Sequence, residues 1–98
     1  MHIVVSWDIK AEQPQWKQID DMMRDALTPH SWARPLSTFY VVRINSTSER
    51  EALKDRMIQV ATGVKETVHF LISPAMVGGQ YTGWLPKSMW PKLNERTK

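Results

Sequence analysis

Two segments of this chain are apolar on both parities of a β-strand, and that constrains the fold more than any other feature. In His2-Ile3-Val4-Val5-Ser6-Trp7-Asp8-Ile9, β-branched and aromatic residues occupy odd and even positions alike. In Ser37-Thr38-Phe39-Tyr40-Val41-Val42-Arg43-Ile44, one parity carries Phe39 and Val41, the other Tyr40, Val42 and Ile44. Successive side chains of a strand point to opposite sides of the sheet, so a half-solvated antiparallel strand alternates apolar with polar residues. These two strands therefore need cover on both faces.

Around them the periodicity changes to that of helices. Pro14 suits the first turn of a helix whose stripe is Trp16, Ile19, Met23, Ala26 and Leu27, with Lys17, Asp20, Asp21, Arg24 and Asp25 mainly on the other face. Thr28-Pro29 closes it, because the residue before a proline avoids helical geometry. Ser31 to Leu36 is a short apolar segment read as an edge strand, because Pro35 cannot donate to a sheet on both sides. After Ile44, both Ser46…Glu49 and Ser48…Glu51 have capping-box spacing. The helix they start has Leu53, Met57, Val60, Ala61 and Val64 as its stripe and Gly63 where a C-terminal cap is expected. Thr67–Ile72 is a last strand.

The order is β-α-β-β-α-β over residues 1–74, an α+β domain with right-handed crossovers and both helices on one face of an antiparallel sheet. Cover for the other face has two sources, a C-terminal extension (residues 75–98) folded back, or a second subunit. A two-fold homodimer is the commonest soluble oligomer and the preferred answer. The extension is punctuated by Gly78, Gly79 and Gly83, broken by Pro86 and Pro91, and loaded with Tyr81, Trp84 and Trp90. Its only expected regular piece is a short strand or turn near Gln80 to Leu85.

Composition excludes several classes. The chain has 98 residues, which leaves room for one core. It has no cysteine, so disulfide frameworks and thiolate metal sites are ruled out and a reducing cytoplasm is expected. No apolar run is long enough to span a bilayer, and a signal-peptide layout is lacking at the start. The net charge of +3 is matched by the tail alone, where Lys87, Lys92, Arg96 and Lys98 face one acid, Glu95.

The opening strand ends in an aromatic–Asp–aliphatic tripeptide, Trp7-Asp8-Ile9, and the hairpin carries a Ser–x–Phe motif, Ser37-Thr38-Phe39, a few residues after Arg34. Together with the order and lengths of the elements up to Ile72, this resembles the small CRISPR-associated spacer-acquisition subunit, the second of the two universal core proteins. The virulence-associated protein D ribonucleases look similar at the same places. Departures are Gln13-Pro14-Gln15-Trp16 in place of an Arg-rich helix start, Pro35-Leu36 in place of a Gln before the motif, and Tyr40 in place of an acid after it. The resemblance implies a ferredoxin-like fold and a homodimer. It also implies that Asp8 of each subunit, near the dimer axis, binds a divalent metal (Mg²⁺ or Mn²⁺) for phosphodiester hydrolysis of RNA or DNA. Many members instead act as non-catalytic scaffolds that hold duplex DNA beside an integrase, and a toxin of this type would have an antitoxin partner.

Asp8 is thus the leading candidate, as metal ligand and catalytic residue. An acid at the end of a central strand is costly to bury unless paired or metal-bound; the plain alternative is that it caps the first helix or pairs with Arg34 or Arg43. Ser37 would join it by orienting the metal water or a phosphate, although nothing places a histidine base beside it. Arg34, Arg43, Lys87, Lys92 and Arg96 are candidate phosphate contacts, with solvated or paired cations as the commoner role. Aromatics interleaved with these bases suit single-stranded nucleic acid, but they suit packing equally well. Phe39, Tyr40 and Trp84 are expected at the dimer interface, with the core as the alternative for Phe39 and the open sheet face as the alternative for Trp84. His2, His30 and His69 show no ligand spacing.

Overall fold

The computed structural model describes residues 1–37, 39–73, 83 and 85–97. Trp84, Tyr81 and Lys98 lie outside the described residues, as do Thr38 and most of the segment near Gln80 to Leu85. The elements are β1 (His2–Lys10), α1 (Gln15–Asp25), β2 (Trp32–Leu36), β3 (Phe39–Arg43), α2 (Thr47–Gly63), β4 (Thr67–Ser73) and α3 (Met89–Arg96). The four strands form one sheet in the order β2-β3-β1-β4, and every neighbouring pair is antiparallel. This is a small α+β fold.

β1 is central and is sandwiched, as its composition requires. Its odd residues Ile3, Val5, Trp7 and Ile9 share one core with Ile19, Met23, Ala26 and Leu27, with Leu53 and Met57 of α2, and with Tyr40, Val42 and Val68 from the flanking strands. Both α1 and α2 thus pack on the odd side of β1. On the even side Val4 joins Val41 and Leu93, with Phe39, Leu85 and Trp90 packed around them. Cover on this second face comes from the tail, through a helix that was not expected. Pro91 does not break α3, because it stands in the first turn, where backbone N–H groups have no intrahelical acceptor.

Local chemistry accounts for the other elements. Pro35 sits in edge strand β2, beside a register shift between Ala33 and Leu36. Of the two capping boxes, α2 uses the first: the Glu49 amide donates to Ser46 Oγ at 3.2 Å, and Glu49 Oε2 accepts from the Asn45 amide at 2.6 Å. Gly63 is the last helical residue rather than a left-handed cap, and Val64 leaves the helix in extended geometry. On α1 the polar set divides otherwise than expected, since Asp20 is buried at 4 % exposure. Asp21 stays outside, where a hydrogen bond from Lys17 and the charge of Arg24 hold its carboxyl below the ordinary carboxylate pKa. That favourable pairing is present above the ordinary carboxylate pKa and fades as pH falls through the lowered one.

Two substitutions test this packing. Leu93→Ala, measured by urea denaturation, is expected to lower stability by about 2–5 kcal/mol, since Leu93 is the buried anchor of α3. Gly63→Ala should instead raise stability by about 0.4–1 kcal/mol, because an added Cβ meets nothing within 4 Å and the backbone there is helical.

Candidate functional site

The cover supplied by the tail is partial. Along β1 the even residues run His2, Val4, Ser6, Asp8, Lys10, and α3 reaches only the Val4 level, packing against β2 and β3. Beyond it, Asp8 and Lys10 are exposed and Ser6 is half-buried. The β4 register places Leu71 opposite Ser6, His69 opposite Asp8 and Thr67 opposite Lys10. Leu71 is 69 % exposed, and Ser6, Trp7, Asp8, His69, Phe70 and Leu71 line a shallow concavity of 440 Å³. The half of the second face built by β1 and β4 is thus open among the described residues, and Asp8 stands in it.

Asp8 is exposed, so no burial penalty has to be offset, contrary to the sequence expectation. Its carboxylate makes no hydrogen bond or ion pair with any described residue. The plain roles do not apply either. The N-cap of α1 is Pro14, with no side-chain cap. Arg34 points to the other face, where its guanidinium donates to the Tyr40 hydroxyl at 3.5 Å and lies 5.9 Å from that ring. Arg43 shares Asp8's face but pairs with His2 at the far end of β1, about 20 Å away at the strand's rise per residue.

The strand end that carries Asp8 is fixed from behind. Trp7 stacks on Tyr40 with ring centroids 4.5 Å apart, and Trp32 meets Tyr40 edge-on at 5.2 Å. The Trp7 indole N–H donates to Asp20 Oδ1 at 2.9 Å, while Arg24 reaches Asp20 at 3.3 Å and Asp21 at 2.7 Å. A buried carboxylate is tolerated here because it accepts a hydrogen bond and faces a cation.

The remaining candidates do not gather at Asp8. Ser37 is exposed in the hairpin turn; extending the β1–β3 register would bring it abreast of Asp8, but pairing stops at Ser6 and Phe39. Phe39 packs in the Val4–Val41–Leu93 cluster, against this chain's own tail. Tyr40, expected at the dimer interface, is instead fully buried in the core of its own chain, stacked on Trp7. Lys87 and Lys92 are exposed, and Arg96 is half-buried with a guanidinium N–H donating to the Lys92 carbonyl at 3.1 Å.

Two residues escaped the sequence reading. Asp20 was legible, since Trp16, Asp20, Met23 and Leu27 fall at helical spacing on the buried stripe. His69 as the neighbour of Asp8 depends on a strand register that no local pattern encodes. No family model, curated protein or solved structure matches this chain.

The two aspartates should separate on substitution. Asp20→Ala orphans the Trp7 N–H and is expected to cost about 1–3 kcal/mol. Asp8→Ala should stay within about 0.5 kcal/mol of the parent in the same urea titration, as for an exposed side chain without partners.

Proposed function

We propose that this chain is a nucleic-acid-handling protein of ferredoxin-like fold, related to the small spacer-acquisition subunits and the virulence-associated D ribonucleases, that hydrolyses phosphodiester bonds at Asp8. The observation that carries the reading is the exposed, unpartnered Asp8 carboxylate on the open half of the sheet. An exposed carboxylate with no partner among the described residues is open to a ligand, whereas Asp20 is taken up by Trp7 and Arg24.

The donor set suits a divalent cation of the Mg²⁺ or Mn²⁺ type. Such ions keep several waters and need only one or two carboxylates from the protein. Asp8 would hold the ion, and Asp8 of a second subunit would share it in a homodimer. Bound there, the cation would polarise a phosphate oxygen and lower the pKa of its water. The chain's own contribution is orientation, since the Trp7–Tyr40 stack and the Trp7–Asp20 hydrogen bond immobilise the peptide unit next to Asp8. Ser37, abreast of Asp8 when the β1–β3 register is extended, would orient the metal water or a phosphate. The working compartment is the cytoplasm.

A second reading, a scaffold that binds nucleic acid without cleaving it, is favoured by the exposed Lys87 and Lys92 on the tail that lies across the same sheet face. One experiment separates the two. Labelled RNA and DNA, single- and double-stranded, are incubated with the protein and Mg²⁺ or Mn²⁺, alongside folded Asp8→Asn. The nuclease reading expects cleavage that chelator abolishes and Asp8→Asn lowers by about 10²-fold or more. Salt-sensitive binding with no cleavage would leave the scaffold, and neither result would retire both.

A further inference from the structure

The pairing of β1 with β4 sets an imidazole beside Asp8, whose carboxylate has no partner among the described residues. Asp8 and His69 are register partners, both exposed, and both on the even side of β1. Directly opposed residues of an antiparallel pair have Cβ atoms about 4.5–5.5 Å apart, with side chains standing off the sheet side by side. A cation about 2.0–2.2 Å from an oxygen of one and a nitrogen of the other fits between them. Ser6 and Leu71 flank the pair on one side, and Lys10 and Thr67 on the other. Lys10 is the charged neighbour that competes for Asp8.

We propose that His69 is a second protein ligand of the cation at Asp8. The inference deepens the reading of Asp8 as a cation ligand, and rests on it, by stating which ions the site takes. Magnesium prefers oxygen donors in octahedral geometry and gains little from a nitrogen ligand. Imidazole favours first-row transition ions, whose affinity rises along the series from manganese toward copper. A carboxylate and an imidazole together therefore select Mn²⁺, Co²⁺ or Zn²⁺ over Mg²⁺. Two protein ligands per chain leave the remaining positions to water or a phosphate oxygen, and a homodimer that joins two open faces would bring four.

The test is binding, not cleavage. MnCl₂, ZnCl₂ and MgCl₂ are titrated into the full chain and into His69→Ala, His69→Gln, Asp8→Asn and His30→Ala, with calorimetry for affinity and Mn²⁺ line broadening in NMR spectra for location. Expected are Mn²⁺ and Zn²⁺ affinities above that of Mg²⁺ by about tenfold or more, and a loss of about tenfold or more in each His69 variant and in Asp8→Asn. His30→Ala should bind as the parent does, and broadening should centre on Asp8 and His69. Mn²⁺ and Zn²⁺ affinity that survives both His69 variants but falls in Asp8→Asn would overturn the role of His69 while leaving the nuclease reading standing. Absence of binding, or binding moved only by His30→Ala, would overturn the site itself. Cation binding at Asp8 and His69 without cleavage of RNA or DNA would leave this site standing and overturn the nuclease reading.

Discussion

The structure depends on one central strand having apolar cover on both sides near its start. β1 runs through the middle of the sheet with Ile3, Val5, Trp7 and Ile9 turned toward α1 and α2, and Val4 turned toward α3. An apolar side chain left in water forgoes about 1.5–3 kcal/mol of burial, so a strand of this composition is stable only where something lies over each face. The two helices between the strands cover one side. Among the described residues the other side is covered only as far as α3 reaches, and the point where that cover stops divides β1 into a structural half and a solvent-facing half.

That division explains why two aspartates on opposite faces of the sheet have opposite characters. Asp20 is inside, held by the Trp7 indole and Arg24, and it contributes by satisfying a buried donor. Asp8 follows Trp7 directly in the chain but emerges on the opposite face, in water, with nothing bound to its oxygens among the described residues. The period of two along a strand is enough to turn one neighbour into a core residue and the next into a site.

Much of this was legible beforehand. The β-α-β-β-α-β order, the edge position of the Pro35 strand and the stripes of both long helices follow from periodicity and turn chemistry, which act over a few residues. The apolar even face of β1 and β3 also announced that something must cover it. What escaped was longer in range. α3 was obscured by Pro91, whose effect depends on whether it falls in the first turn or the middle of a helix. Tyr40 reads as a residue for either face until the Trp7 stack shows which. Asp8 was singled out from the sequence, but its isolation from Arg34 and Arg43 is a matter of face and register. The proximity of His69 likewise follows from a pairing between strands separated by nearly the whole domain.

The Trp7–Tyr40 stack carries one more consequence. An indole 4.5 Å from a phenol ring, nearly parallel to it and 4 % exposed, sits in a rigid chiral environment. Such a ring pair absorbs and emits differently from a solvated tryptophan and gives a strong near-ultraviolet dichroic signal. Because Trp7 is joined to Asp8 by one peptide bond, a chromophore that reports on the integrity of the core also adjoins the candidate site. The protein has an internal optical gauge at the boundary between the part that folds and the part that meets a ligand.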